Sequence, residues 1–207
     1  MINYPSESDT YLAIQEVLIK YFNIADDKYK NLIYVDVGGG EPEFYSNSYY
    51  FRNKIDNIIV IEPIKRLCKL FEDRGYPVLN YAAIDSDKGE TLFRDYYNTT
   101  NGLSFSSVLS NNYGYAFNEY LVPALTLNAI LQKHHPEIDK IDILDIDTEG
   151  TELLVLNGLD IEKYSPKIII VENYFNVGNN GYHEYYENIG YEIVAKCAHN
   201  EILIKKK

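Results

Sequence analysis

Short apolar runs separated by amphipathic stretches organise this chain. Leu32, Ile33, Tyr34, Val35 and Val37 form the first run, with Asp36 inside it and Gly38, Gly39 and Gly40 at its end. Its length and β-branched content predict a buried parallel strand. Comparable runs follow at Ile58–Ile61, Val78–Ala82, Ile141–Ile146 and Ile168–Val171, and Tyr191–Ala195 with Ile202–Ile204 predict a closing antiparallel pair. Helical patterns lie between them. Ser8–Phe22 predicts an amphipathic helix with Leu12, Val17, Ile19 and Phe22 on its buried face and Ser8 or Asp9 as cap. Glu41, Pro42 and Glu43 suit a helix's first turn, continued by Asn47–Lys54. Further helices are expected over Ile64–Arg74, ended by Gly75, and over Thr126–His134, stopped before Pro136. Two more span Glu149–Asn157, closed by Gly158, and Asn180–Asn188, ending at Gly190. Thr91–Asp95 and Leu103–Val108 read as short extended pieces. Strands alternating with helices imply an α/β fold: a mostly parallel sheet covered on both faces, with an antiparallel last strand.

Strand, glycine turn and helix open a nucleotide-binding βαβ unit. The dinucleotide pattern G-x-G-x-x-G is half present: Gly38 and Gly40 fit, but position 43 is Glu. A glutamate repels a pyrophosphate there, whereas the adenosyl group of S-adenosylmethionine (SAM) brings no phosphate. A plain tight turn is the alternative. Glu62 ends the second run, at the interval where an acid takes the ribose hydroxyls in such units, or else caps the next helix. Ligands in open α/β sheets bind beyond the carboxyl ends of the strands. Those ends carry Asp36, Glu62, Asn80–Ala83, Asp145–Glu149 and Glu172-Asn173, and this convergence of polar groups is the main functional signal.

Composition narrows the choice. The 207 residues, 46% hydrophobic, suffice for one domain over 1–207. A net charge of −12 speaks against nucleic acid and against an anionic membrane surface. The 21 tyrosines read as composition bias. Cys68 and Cys197 are expected as buried free thiols. The polar start MINYPSESD has no secretory pattern, and no apolar run approaches the roughly 20 residues of a bilayer span, so a soluble, cytoplasmic protein is expected.

The segments VDVGGGEP, VIEP, NYAAIDSDKGE, LTLNAIL, IDILDIDTEGTELLVLNGLD, PKIIIVEN and GYEIV, in order from Tyr34 to Ile204, resemble the FkbM-type methyltransferases. Ile141–Gly158 is the most specific piece, similar to the family's IDxLKIDVEGxExxVLxG. Two features depart from the pattern. The usual Gly-Ala-Asn-x-Gly is Gly38-Gly39-Gly40-Glu41-Pro42 here, followed by Ser46-Asn47-Ser48 as in one branch of the family, and the frequent lysine of LKID is Asp145. The resemblance implies a Rossmann-like class I methyltransferase fold that binds SAM and methylates a hydroxyl oxygen, often on a sugar or natural product. Carried over, Asp36 and Gly38, Gly39 and Gly40 hold the methionine end, and Glu62 holds the ribose. Asn80–Ala83, including Ala83, and Asp85 border the adenine, and Asp147 stands near the sulfonium and the acceptor.

Candidates for the general base are Asp147, Glu149, Glu172, His183 and His199, with surface positions the simpler account of the two histidines. Asp147, Glu172 and Asn173 lie at neighbouring strand ends and have the oxygen ligands for Mg²⁺. In the competing account Asp147, Thr148 and Glu149 cap the following helix and Asn173 is a turn residue. The acceptor, a small molecule or glycan, is expected against Asn98–Tyr120, which with Tyr97 offers Phe105, Tyr113, Tyr115 and Phe117 to a sugar ring; an ordinary surface loop is the alternative. Two other functions stay open: a non-catalytic binding domain on the same fold, and a nicotinamide oxidoreductase, which Glu43 disfavours.

Overall fold

The computed structural model describes residues 1–4, 9–44, 46–96, 108, 117–173 and 180–206. In chain order the first half holds β1 (Ile2–Tyr4), α1 (Thr10–Phe22), a 3₁₀ turn over Asp26–Asn31, β2 (Ile33–Val37), α2 (Asn47–Tyr50), β3 (Asn57–Ile61) and α3 (Lys65–Asp73). Then come β4 (Val78–Leu79), β5 (Ala82–Ile84), β6 (Gly89–Tyr96), β7 (Phe117–Thr126), α4 (Leu127–His134) and β8 (Ile143–Ile146). The last part holds α5 (Glu152–Asn157), α6 (Ile161–Tyr164), β9 (Ile168–Glu172), α7 (Asn180–Asn188), β10 (Tyr191–Cys197) and β11 (Asn200–Lys205).

Eight strands make one sheet in the order β1-β10-β11-β9-β8-β2-β3-β4. The run β4-β3-β2-β8-β9 is parallel throughout, and β11 is antiparallel to both its neighbours. The chain winds outward from β2 through β3 to β4, then returns to lay β8 against the other side of β2. That reversal is the switch point where an open parallel sheet leaves a crevice beyond its strand ends. Both faces are covered. Val35, Val37, Leu144 and Ile146 pack with Leu127, Ile130, Val155, Tyr164 and Tyr186 on one side. Tyr34, Ile143 and Ile170 pack with Ala13, Ile14, Val17, Leu18 and Phe51 on the other. Cys68 and Cys197 are buried free thiols.

Several sequence expectations need correction. The buried stripe of α1 is Thr10, Ala13, Ile14, Val17 and Leu18, while Leu12 and Ile19 face outward. Asp9 makes no side-chain cap, and Ser8 lies outside the described residues. Residues 41–44 form a turn, not a helix; α2 starts only at Asn47, where Ser46 accepts from the Tyr49 amide at 3.2 Å. The run Val78–Ala82 splits. Asn80 donates its side-chain amide to the carbonyls of Glu62 at 2.9 Å and Pro63 at 2.8 Å, and the chain leaves the large sheet there. It enters a second sheet, β5-β7-β6, that the apolar pattern did not announce. Ile64 and Leu67 of the α3 region pack beneath this second sheet against Ala82, Phe93 and Val122. Glu149–Gly150 are a loop, and α5 begins at Glu152. Most of the segment expected to bound the acceptor lies outside the described residues, and its end, Phe117–Tyr120, belongs to β7.

The C-terminus of α5 is pressed onto β5. A Cβ on Gly158 would stand 2.2 Å from the Ile84 carbonyl oxygen, with backbone on both sides of the contact. Gly158→Ala is therefore expected to lower stability by about 1–3 kcal/mol, measured by urea denaturation. An unchanged midpoint would contradict this packing.

Candidate functional site

The rim beyond β2 and β3 is built on one carboxylate. Glu62 Oε2 accepts the Gly40 amide at 3.0 Å, and Oε1 accepts the Ile64 amide at 2.7 Å. The turn after β2 and the entry to α3 are thus tied to the same side chain. Gly38 donates its amide to the Ile61 carbonyl at 2.9 Å. Its φ is +89°, and a Cβ would stand 1.7 Å from the Asp147 carbonyl oxygen, so no other residue fits. A Cβ on Gly39 would instead strike Val60 at 2.5 Å, so Gly39 faces the packed interior and offers a ligand only its backbone. Burial pushes the Glu62 carboxyl up to about 7, against the pull of its two amide donors.

Asp36 and Asp145 are register partners on adjacent parallel strands, and both are buried. Asp36 accepts from Ser46 Oγ at 2.9 Å and from Ser48 Oγ. Asp145 accepts from Tyr34 Oη at 2.8 Å and Asn47 Nδ2 at 3.1 Å. The Ser46-Asn47-Ser48 triplet therefore caps α2 and supplies hydroxyl and amide donors to two carboxyl groups. Burial, and then the Asp36 charge, raise Asp145 to about 7, and burial raises Asp36 against its two serine donors. The acid that replaces the family's lysine thus lies against Asp36.

At the end of β8, Asp147 donates its amide to the Val37 carbonyl at 3.0 Å, which places it over the glycine turn. Glu149 follows with a left-handed φ of +57°. Glu172 ends β9. Asp36, Gly38, Gly40, Glu62 and Asp147 are therefore gathered at one rim. Ala83 is a core residue of β5, and Asp85 is exposed and accepts from Ser86 at 3.0 Å. His183 is engaged with Glu201 at 3.0 Å, and the Asn173 side-chain amide donates to the same carboxylate at 3.0 Å. The His199 carbonyl accepts the Asn173 amide at 2.8 Å. Among the described residues no three His, Cys, Asp or Glu side chains gather as a metal group.

Glu43 needs correction too. It forms a two-point pair with Arg74, its Oε1 taking Nε at 2.6 Å, and so does not present a bare charge to a phosphate. Sequence reasoning also missed Glu152, which is buried and accepts the amides of Thr148 at 3.1 Å and Gly150 at 2.8 Å. Its signals were an acid at the start of a helix, two residues beyond a Glu-Gly turn, and its place on the second Glu of the motif that Ile141–Gly158 resembles.

A mostly parallel sheet reversing between β2 and β8, with an antiparallel end and carboxylates along its rim, is a Rossmann-like α/β domain. The family model described as "Methyltransferase FkbM domain" matches residues 36–193, and the chain belongs to that family of methyltransferases. The fold is similar to the crystal structure of methyltransferase FkbM from Methylobacillus flagellatus KT, with a TM-score of 0.54 and 14% identity. That likeness covers 84% of this chain and 44% of the other, so the chain spans less than half the length of that protein. No curated protein matches the chain. Among the described residues no helix is long and apolar enough to cross a membrane.

The raised carboxyls make stability depend on pH. Glu62 and Asp145 titrate near 7 when folded, against 4.5 and 3.8 for the free side chains. Between about pH 4 and 7 the folded chain holds protons that the unfolded chain has lost. Their contribution is full below that window and lost as pH rises through it, roughly 3 kcal/mol for Glu62 alone. The urea midpoint is expected to fall from pH 5.5 to pH 8. Asp145→Asn, which cannot ionise, should flatten the slope and raise the midpoint at pH 8. A profile that rises with pH, or an unaltered slope in the variant, would contradict these environments.

Proposed function

We propose that this protein is a SAM-dependent methyltransferase that methylates a hydroxyl oxygen of a small acceptor, a sugar or another natural product. The observation that carries the reading is Glu62. A carboxylate has about four acceptor directions. Glu62 spends two on Gly40 and Ile64, beside the glycine turn, and on this reading the others take the ligand. A vicinal diol with two donors fits that remainder. Asp36 and Asp145 add buried carboxyls beside the same turn, which suits a ligand carrying positive charge.

When bound, SAM supplies an electrophilic methyl on a sulfonium. On this reading the backbone of Gly38 and Gly40, with Asp36 beneath, receives the methionine end, and Glu62 receives the ribose. Acidic surroundings favour binding of a cation but do not by themselves lower the barrier to its discharge. Rate comes from holding the acceptor oxygen in line with the methyl. It also needs a group to take the hydroxyl proton, for which Asp147 and Glu149 beside the glycine turn, and Glu172 at the next strand end, are the candidates. The net charge of −12 favours a neutral or cationic acceptor over nucleic acid.

Isothermal calorimetry with SAM and S-adenosylhomocysteine tests this reading. Wild-type protein is expected to bind both, and Glu62→Ala to weaken both at least about tenfold. No heat of binding at millimolar ligand would favour a non-catalytic domain on the same fold.

A further inference from the structure

The loop over residues 147–151 is held in an unfavourable backbone conformation by a buried carboxylate. Glu149 and Gly150 are left-handed in succession, with φ of +57° and +97°. A non-glycine residue adopts that conformation only where its surroundings impose it. The Glu152 carboxylate supplies the constraint. Oε1 accepts the Thr148 amide at 3.1 Å, the Thr148 hydroxyl at 3.3 Å and the Gly150 amide at 2.8 Å. Oε2 accepts the Tyr182 hydroxyl of α7 at 2.9 Å. Four donors use the acceptor capacity of a carboxylate, and Glu152 is 1% exposed, so it has nothing left for a ligand.

The loop so held bears on the glycine turn. Asp147 is bonded to Val37 through its amide, and its carbonyl occupies the space where a Gly38 side chain would be. A displacement of residues 148–150 therefore reaches Asp147 and Gly38 directly. Tyr182 is itself buried, and it stands within electrostatic reach of Glu172 at the end of β9.

We propose that Glu152 is a positioning residue: it fixes the loop that carries Asp147 and Glu149 over the glycine turn, and through Tyr182 it couples α7 to the ligand rim. The proposal rests on the methyltransferase reading for the identity of the ligand, but the loop geometry stands without it.

The test combines calorimetry with S-adenosylhomocysteine, thermal melting, and hydrogen exchange at the Thr148 and Gly150 amides in Glu152→Ala, Glu152→Gln and Tyr182→Phe. Glu152→Ala is expected to bind about tenfold more weakly or worse, with faster exchange at both amides. Glu152→Gln keeps an acceptor for the loop and should restore affinity to within about threefold of wild type. Tyr182→Phe removes one hydroxyl, so it reads the coupling even if Glu152→Ala does not fold. Its affinity should fall about two- to fivefold, with faster exchange at the two amides and little change in melting temperature. Wild-type affinity in both Glu152→Ala and Tyr182→Phe, whatever their melting temperatures, would overturn the proposal, as would unaltered exchange at the two amides in Tyr182→Phe. If wild-type protein itself binds no ligand, the methyltransferase reading fails, and the exchange measurement still decides whether Glu152 holds the loop.

Discussion

Two backbone amides meeting on the Glu62 carboxylate are the constraint on which the rim depends. Gly40 belongs to the turn after β2 and Ile64 to the entry of α3, and a single side chain spans them. Further bonds fix that side chain's own backbone: its amide donates to the Leu79 carbonyl at 3.0 Å, and its carbonyl accepts from Asn80 at 2.9 Å and from the Cys68 thiol at 3.1 Å. Three successive parallel strands therefore end in one bonded assembly. Such an arrangement costs desolvation of a carboxyl group, which its raised pKa records. Both oxygens are used by backbone donors, so a glutamine, whose NH2 would face one of those amides, could not take its place.

The same economy of donors recurs along the rim. Asp36 and Asp145 have serine, tyrosine and asparagine partners but no lysine or arginine among them. Glu152 likewise collects amides and hydroxyls. Basic groups are spent elsewhere, on Glu43 by Arg74, on Asp95 by Arg66 and on Glu201 by Lys196. The result is a strand-end rim in which Asp36 and Asp145 are held by neutral donors, a setting that on the methyltransferase reading suits a cationic small molecule. Chemistry at such a rim depends on alignment more than on charge, which makes the supports of the loop after β8 as consequential as the residues that face the ligand.

Most of the central sheet was legible in the sequence because its strands are buried on both faces and read as unbroken apolar runs. Ile58–Ile61 and Ile168–Val171 are of that kind, and the closing pair follows as an antiparallel hairpin. The second sheet was legible only in part: Thr91–Asp95, read as extended, lies in β6, but β7 exposes Asn118, Glu119 and Leu121 and contains Pro123, so neither alternation nor a continuous run marks it. The α1 stripe was misplaced because Leu12 and Ile19 face out, while the small residues Thr10 and Ala13 join Ile14, Val17 and Leu18 in the buried positions. The strand-end placement of Asp36, Gly38, Glu62 and Asp147 was readable from the ends of the apolar runs. The roles of Asn80, Ser46, Ser48 and Glu152 were not. Each depends on a partner brought close by tertiary structure, as with Glu152 and Tyr182, 30 residues apart.

On the methyltransferase reading, the rim around Glu62 receives the nucleoside. A crystal structure of the protein soaked with S-adenosylhomocysteine decides this. Both ribose hydroxyls are expected on the Glu62 carboxylate, with the amino-acid end along Gly38–Gly40. Density for the ligand on another face of the molecule, with Glu62 still bound only to Gly40 and Ile64, would contradict it.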